Sequence, residues 1–154
     1  MYIETERCII RNFNLTDAED LHETLSDAEV MQYIEPPFTL EQTQGFIQNA
    51  GLSDKPLVYA LLAKDTKKGI GHVIYHPYEE NCYEIGWMIN RKFWRMGIAD
   101  EITRALIEIS REKKLSGLVI ECVPEQSVSR HIALKNHFTY EGIREGLEIY
   151  RLIL

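Results

Sequence analysis

The segment Asn90–Ala99 carries residue types that could bind a phosphate group. It follows a stretch with the alternation of a strand and precedes one with the period of a helix. The first N–H groups of a helix have no partner inside it, and the helix dipole places partial positive charge there. Gly97 has no Cβ, so an anion could approach the backbone closely. Arg91, Lys92 and Arg95 add positive charge to an otherwise acidic chain.

The same segment also has a purely structural interpretation. A loop between a strand and a helix can contain a glycine for packing alone, and basic side chains are common on loop surfaces. The residue types by themselves therefore leave two interpretations open, an anion-binding loop and a simple connection.

The cysteine and histidine positions give no support to metal or redox chemistry. Cys8, Cys82 and Cys122 match no zinc or redox spacing, and each lies in a strand-like stretch where a free cysteine is usually a small buried hydrophobe. The five histidines form no cluster with metal-ligand spacing, so we expect no metal. A covalent mechanism at Cys122 is disfavoured, because no His or Asp is spaced to assist it.

The first third of the chain predicts one strand and then helices. Met1–Asn12 predicts a single strand. Thr16–Glu19 and Thr39–Gln42 both have the spacing of a capping box, in which side chains satisfy the free N–H groups of a helix start. A short helical piece is expected over Ala28–Tyr33, before two prolines break it.

The rest of the chain alternates between strand and helix patterns. Short turns join the middle strands, which should therefore be antiparallel, whereas a helical crossover predicts a parallel pair around the long helix. The result is a mixed α/β chain. Strands are expected over Leu57–Ala63, Ile70–Tyr75, Cys82–Ile89, Leu118–Val123 and twice within Thr139–Leu154, and helices over Ile98–Lys114 and Ser127–Lys135.

Length and charge limit the classes of function. The 154 residues suit one domain, and no apolar run approaches the ~18–20 residues of a membrane span. The formal net charge of -7 argues against binding to nucleic acid or to an anionic membrane, and it is compatible with a cationic partner such as an amine. Met1–Arg11 lacks the apolar core of a signal peptide, so we expect a cytoplasmic protein.

Several segments together resemble the GNAT acyltransferases. The run Trp94–Ala99 is similar to their motif A, Q/R-x-x-G-x-G/A, which binds the pyrophosphate of acetyl-CoA in that family. Tryptophan at the first position, followed soon by a glutamate like Glu101, is usual in the RimJ/RimL-type branch. Further segments that resemble this branch, in its order and spacing, are Glu4–Arg11, Asp27–Met31, Glu84–Trp87, Ser129 and Leu134–Phe138.

The resemblance implies a fold and a set of residues around acetyl-CoA. The fold is a single domain over residues 1–154, with about seven mostly antiparallel strands, a splayed parallel pair at the centre and helices on the faces. Ser129 matches a serine whose hydroxyl lies near the CoA sulfur. Backbone N–H groups of the central strand hold the acetyl carbonyl. The residues placed against acetyl-CoA are Met88, Ile89, Asn90, Arg95, Met96, Gly97, Ile98, Ala99, Gln126 and Ser129.

Two positions after the long helix depart from the pattern of the branch. Gln126 stands where asparagine is frequent, and His137 where glycine usually ends the last helix with a positive φ. Asn136 or His137 would have to adopt the left-handed conformation at some cost.

Glu84 is the first choice for the base that takes the proton of the acceptor amine. Strand alternation puts Glu84, Gly86 and Met88 on one face, and the opposite face, with Ile85 and Trp87, should pack on helices. A surface or salt-bridged glutamate is an almost equal alternative. Glu35, Glu121 and His72 are rivals, of which His72 is better interpreted as a core histidine.

The sequence thus predicts an N-acetyltransferase that moves acetyl from acetyl-CoA to a primary amine in a ternary complex. The amine could be a peptide N-terminus or a small molecule, and a homodimer stays open. The alternative is an acyl-CoA-binding sensor or partner module that has lost catalysis.

Overall fold

The computed structural model describes residues 1–154, which form eight strands and four helices. The strands are β1 (Tyr2–Glu4), β2 (Cys8–Arg11), β3 (Val58–Ala63), β4 (Gly69–Glu79), β5 (Cys82–Ile89), β6 (Gly117–Cys122), β7 (Thr139–Arg144) and β8 (Leu147–Ile153). The helices are α1 (Ala18–Leu25), α2 (Leu40–Phe46), α3 (Ile98–Glu112) and α4 (Ser127–Lys135). The sheet order is β1-β2-β3-β4-β5-β6-β8-β7, which confirms the mixed α/β class. None of the helices has the length and apolar content to cross a membrane.

The N-terminal stretch forms two antiparallel strands, so the single strand predicted over Met1–Asn12 is wrong. The Thr5 N–H donates to the Cys8 carbonyl at 2.9 Å, and the Cys8 N–H donates to the Thr5 hydroxyl at 2.9 Å. The chain reverses between them, and Ile3 of β1 pairs with Ile10 of β2. The four consecutive polar residues Glu4–Arg7 coincide with the turn, and the single-strand prediction overlooked this break in the alternation.

Helix α1 starts from a different cap than the sequence predicted. A 3-10 turn over Leu15–Asp17 precedes α1, and its capping box joins Asn14 and Asp17, with the Asn14 N–H donating to Asp17 Oδ2 at 2.7 Å. Asp17 is then the N-cap of α1 and makes no side-chain capping bond to that helix. The Arg11 guanidinium also holds both oxygens of Asp17, at 2.8 and 2.9 Å. The predicted box of Thr16 and Glu19 is wrong, because the ion pair with Arg11 fixes Asp17 as the residue that closes the box.

The segment between α1 and α2 contains one wrong and one confirmed prediction. Residues Ala28–Tyr33 form successive turns, with the Met31 N–H donating to the Asp27 carbonyl at 3.0 Å, and not the expected helix. The capping box of α2 is confirmed. The Gln42 N–H donates to the Thr39 hydroxyl at 3.1 Å, and the Thr39 N–H donates to Gln42 Oε1 at 2.8 Å.

The contacts divide the chain into two compact units, so the expectation of a single domain stays a prediction. The first unit consists of Met1–Ile74 and Trp87–Ile98, and the second of Tyr75–Gly86 and Ala99–Leu154. Each has apolar residues packed in its interior. In the first unit they include Ile9, Phe13, Leu21, Leu25 and Ile47, and in the second Cys82, Val119 and Ile149.

The long helix α3 connects the parallel pair of strands that the sequence predicted. Cys82 of β5 pairs with Gly117 of β6, and the register ends at Glu84 and Val119. Both strands continue beyond this point, while β6 stays paired with β8 through Cys122. The two strands therefore part after Glu84, as expected of a splayed pair.

The end of α4 shows how the chain accommodates His137. The His137 φ is 70°, so this residue, and not Asn136, adopts the left-handed conformation. The Phe138 N–H donates to the Ala133 carbonyl at 2.9 Å, as in a Schellman ending. The Asn136 side chain donates to Asp100 at 2.8 Å and so ties the end of α4 to α3.

Close backbone contact between β4 and β5 depends on Gly71. Its φ is 152°, and a Cβ at this position would lie 1.9 Å from the Met88 carbonyl oxygen. The register of β3 against β4 shifts at the same place, between Leu61 and Leu62. The end of β5, where the loop of interest begins, therefore rests against a backbone position that only glycine can occupy.

We expect Gly71→Ala to lower the free energy of unfolding by more than about 2 kcal/mol, because the backbone of one strand must move. Gly142→Ala is the matched control, since Gly142 also has a positive φ, 112°, but no atom within 4 Å of an added Cβ. Urea denaturation measures both changes. Equal losses in the two variants would mean that conformational strain, and not the Met88 carbonyl, decides the cost.

Candidate functional site

The loop between β5 and α3 contains two residues in the left-handed conformation. The φ of Arg95 is 62° and that of Gly97 is 80°, and α3 starts at Ile98. Left-handed residues interspersed in a turn bring successive backbone N–H groups toward one concave surface, which attracts anions. The loop thus combines a concave backbone with the positive end of a fifteen-residue helix.

Asn90 anchors the start of this loop and is only 4% exposed. Its backbone N–H donates to the Ile70 carbonyl at 2.7 Å, and its own carbonyl accepts from the Phe93 N–H at 2.9 Å. Its side-chain oxygen accepts from the Lys92 N–H at 3.0 Å. Because backbone and side chain are both engaged, Asn90 fixes the direction in which the chain leaves β5.

Trp94 and Arg7 fix the middle of the loop. The Trp94 indole N–H donates to the Ile89 carbonyl at 2.8 Å, which folds the ring back on the end of β5. Arg7, in the turn between β1 and β2, donates from Nη1 to the Met96 carbonyl at 2.6 Å. Sequence reasoning missed this role of Arg7, because it treated the residue as part of a strand and nothing local connects it to a loop 89 residues away.

Most of the positive charge expected in the loop is neutralised. Glu23 of α1 accepts hydrogen bonds from Lys68 at 2.8 Å and from Lys92 and the Asn90 side chain at 3.2 Å each. These bonds, that of Lys68 above all, lower the pKa of Glu23 to about 2. Glu23 is therefore an ionised anchor of the loop at neutral pH.

Arg91 is paired in the same way, with Asp27 and Glu29 at 3.0 Å each. Of the three cations that the sequence assigned to the loop, Arg95 alone has no ion-pair partner among these acidic residues. The positive charge at the loop thus comes from Arg95, from the Arg7 guanidinium beside the Met96 carbonyl and from the backbone.

Four further positions expected against acetyl-CoA lie at the end of β5, Met88 and Ile89, and at the start of α3, Ile98 and Ala99. Ile98 is 4% exposed at the start of the helix, and the Ala99 carbonyl accepts from the Thr103 hydroxyl at 2.7 Å. The N–H of Asn90 is committed to Ile70, so a backbone donor for the acetyl carbonyl stays a prediction for Met88 and Ile89.

Ser129 and Gln126 lie at the N-terminal end of α4, in the second unit. Ser129 is partly exposed on the first turn of the helix. Gln126 precedes the helix, and its side-chain oxygen accepts from the Val123 N–H at 2.9 Å. Gln126, which stands where the branch frequently has asparagine, therefore stabilises the turn after β6. Its contact with the co-substrate stays a prediction.

Glu84 lies beside a histidine that sequence reasoning missed. Its Oε2 is 3.2 Å from Nε2 of His76 on β4, and both side chains are 23% exposed. The bond to Glu84 is the largest cause of the raised pKa of His76. The predicted strand Ile70–Tyr75 ended one residue before His76, whereas β4 continues to Glu79, so the sequence analysis did not pair the two residues. The opposite face of β5 is buried at Ile85, as expected.

The rivals to Glu84 have different surroundings. Burial lowers the pKa of His72 to about 4, and its ring lies 5.0 Å from that of Phe46. His72 is thus a core histidine, although its Nδ1 has no hydrogen-bond partner. Glu121 faces Tyr78, whose pKa rises to about 12 through burial and this hydrogen bond. Glu35 is exposed.

Neither thiol nor metal chemistry has a visible basis. All three cysteines are buried and none forms a disulfide. Burial raises the pKa of Cys122 to about 11, so its thiol stays protonated at neutral pH. No group of three His, Cys, Asp or Glu residues could hold a metal ion.

Comparison with known proteins identifies relatives along nearly the whole chain. Residues 7–139 match the family model of the acetyltransferase (GNAT) domain. The uncharacterized N-acetyltransferase YnaD of Bacillus subtilis (strain 168) is 33% identical over 145 residues, which are 92% of this chain and 85% of YnaD. A GNAT-family acetyltransferase from Bacillus anthracis has a solved structure with a TM-score of 0.90 and 31% identity, covering 99% of this chain and 98% of that one.

A more distant structure shares the fold alone. RimL, a ribosomal L7/L12 alpha-N-protein acetyltransferase solved in complex with coenzyme A, has a TM-score of 0.83 and 20% identity, with 100% of this chain and 98% of RimL covered. The family model and the match to YnaD confirm the resemblance to the GNAT acetyltransferases, and the solved structures confirm the expected fold.

We expect Gly97→Asp to abolish acetyl-CoA binding, because an aspartate must adopt a positive φ here and adds a negative charge where the pyrophosphate would lie. Gly97→Ala is the control, since it adds a Cβ without a charge and should weaken binding less. Isothermal titration calorimetry on folded variants measures the affinities. A folded Gly97→Asp protein with wild-type affinity would overturn the assignment of this loop.

Proposed function

We propose that this chain, which belongs to the GNAT acetyltransferase family, moves the acetyl group of acetyl-CoA directly to a primary amine within a ternary complex. Family membership makes the chain an acyltransferase and acetyl-CoA its co-substrate. The observation that carries the proposal is the loop before α3, which combines two left-handed residues, Arg95 and Gly97, with the start of a long helix.

The loop suits the pyrophosphate of acetyl-CoA. Two neighbouring phosphates need several N–H donors and moderate positive charge, and a concave backbone at a helix start supplies both. Asn90, Trp94 and Arg7 hold the loop in this shape before any ligand binds. Pre-organisation of this kind lowers the cost of ordering the loop when the co-substrate binds.

The chemistry needs an electrophilic carbonyl and a neutral amine. We assign the polarisation of the acetyl carbonyl to backbone N–H groups at Met88 and Ile89, since donors aimed at a developing oxyanion lower the barrier. The amine nitrogen attacks the carbonyl carbon, the C–N bond forms, and the C–S bond then breaks. Glu84 takes the proton that the amine loses, directly or through a water, and the hydroxyl of Ser129 donates to the departing thiolate.

The acceptor is a primary amine of a class that is still to be identified. RimL acts on a ribosomal protein, and a protein N-terminus is one acceptor that we propose here. The formal net charge of -7 also suits a cationic small-molecule amine. We place the protein in the cytoplasm and take RimJ/RimL-like acetyltransferases as its branch of the family.

A panel of amines tests the function. CoA release is followed with a thiol reagent while peptides with free N-termini, polyamines and drug-like amines are offered in turn. Release that depends on an amine supports the enzyme. If acetyl-CoA binds but no amine releases CoA, the chain is an acyl-CoA-binding module.

We expect Ser129→Ala to lower kcat and leave the affinity for acetyl-CoA nearly unchanged, because a bond to the leaving thiolate strengthens only as its charge develops. A loss of about three- to tenfold corresponds to one hydrogen bond. Steady-state kinetics and calorimetry measure the two quantities, and Ser127→Ala, at the first position of the same helix, is the control. An unchanged kcat would make Ser129 structural.

We expect Glu84→Gln to lower kcat/KM at neutral pH, with a loss that shrinks as pH rises toward the pKa of the acceptor. An α-amino group, with a pKa of about 7.7–8.0, has roughly a tenth of its molecules neutral near pH 7, whereas a lysine amine, at about 10.4, has far fewer and needs more help to lose its proton. A pH–rate profile of both proteins measures the effect. A deficit that is constant with pH would assign Glu84 to positioning, and no deficit would make it a surface glutamate.

A further inference from the structure

We infer that His76 is a positioning residue for the transfer of acetyl to the acceptor amine. It holds one carboxylate oxygen of Glu84 and leaves the other oxygen for the amine. This inference rests on the proposed role of Glu84 as the base. It stands on the contact between Nε2 of His76 and Oε2 of Glu84 at 3.2 Å, across the neighbouring strands β4 and β5.

Both nitrogens of the His76 ring face acceptor oxygens. Nε2 faces Glu84, and Nδ1 lies 2.9 Å from the Pro77 carbonyl oxygen. A neutral imidazole has one N–H, so it could satisfy only one of these oxygens, whereas an imidazolium donates to both. The two contacts fix the orientation of the ring, with Nε2 directed at Glu84. The imidazolium form suits this arrangement best, because it can donate to both oxygens.

The charged groups around His76 favour the same form. Glu84 faces it from β5, and Glu121 of β6 contributes a weaker attraction. Glu121 is itself bonded to Tyr78, whose hydroxyl also accepts from Arg144 at 3.3 Å, so these polar groups form a connected set. Glu84 remains the nearest acid to His76, and both side chains keep partial access to solvent.

The ion pair defines a pH window. The pKa of His76 is raised above 6.5, chiefly by its bond to Glu84. The pair is therefore fully formed below pH 6.5 and is lost as pH rises through the raised value. If His76 orients Glu84, the contribution of His76 to the rate must also be largest below pH 6.5 and must disappear as pH rises through the pKa of His76.

The test compares His76→Phe, which keeps a ring but has no donor, with His76→Gln, which keeps an uncharged donor. At about pH 6, His76→Phe should lower kcat/KM by roughly three- to tenfold, the range for one partly exposed charged hydrogen bond. The difference in kcat/KM between the wild type and His76→Phe should disappear as pH rises and His76 of the wild type loses its proton. His76→Gln should retain part of the activity, without that pH step. His131→Gln, an exposed histidine on α4, is the control.

Two further measurements separate orientation from structure. In a Glu84→Gln background, His76→Phe should add no further loss, because the group that it orients is already gone. The ring proton of His76, followed by NMR, should titrate at a lower pH in Glu84→Gln than in the wild type. A deficit of His76→Phe that is constant with pH, or that adds fully to Glu84→Gln, would overturn the inference.

The outcomes distinguish this inference from the function on which it rests. If Glu84→Gln has a deficit and His76→Phe has none at any pH, the inference fails and the proposed base stands. If wild-type protein is active and Glu84→Gln is unimpaired, both residues lose their roles and the acetyltransferase remains. If no amine releases CoA, the proposed function fails and the role of His76 fails with it.

Discussion

The bond from the Asn90 N–H to the Ile70 carbonyl is the constraint on which the rest of the loop depends. It closes the end of β5 against β4, and Gly71 makes this approach possible because a Cβ would meet the Met88 carbonyl. The side chain of Asn90 then sets the first turn of the loop. A phosphate site made of backbone N–H groups works only if those groups keep their directions, since a backbone donor has no side-chain rotamer with which to adjust.

Acidic residues of the N-terminal half serve this loop indirectly. Glu23 and Asp27 bind Lys92 and Arg91, and so turn two apparent phosphate ligands into anchors. These pairs are partly exposed, and each contributes modestly to stability. Their larger effect is on the distribution of charge, because they neutralise Lys92 and Arg91 while Arg95 and Arg7 remain at the loop. An acidic chain can in this way keep a local anion site.

Particular residues show how far the sequence could predict the fold and the site. The bounds of α4 and β5 and the parallel pairing of β5 with β6 follow from period and connection length, and the structure confirms them. The cap of α1 was wrong, because Arg11 competes for Asp17 across a turn. The partner of Glu84 was missed, because the predicted strand stopped at Tyr75. Counting back through the two-residue turn also places Pro77, and not His76, opposite Glu84.

The sequence by itself determined the order of elements, the amphipathic helix α3 and the loop that precedes it, because these depend on local period, on glycine and on the free N–H groups of a helix start. Only the tertiary structure decided which side chains act on that loop and on Glu84. Arg7 meets Met96 from a turn 89 residues away, and His76 meets Glu84 across a strand pair. Such contacts depend on sheet order and register, which are properties of the folded chain and not of any segment.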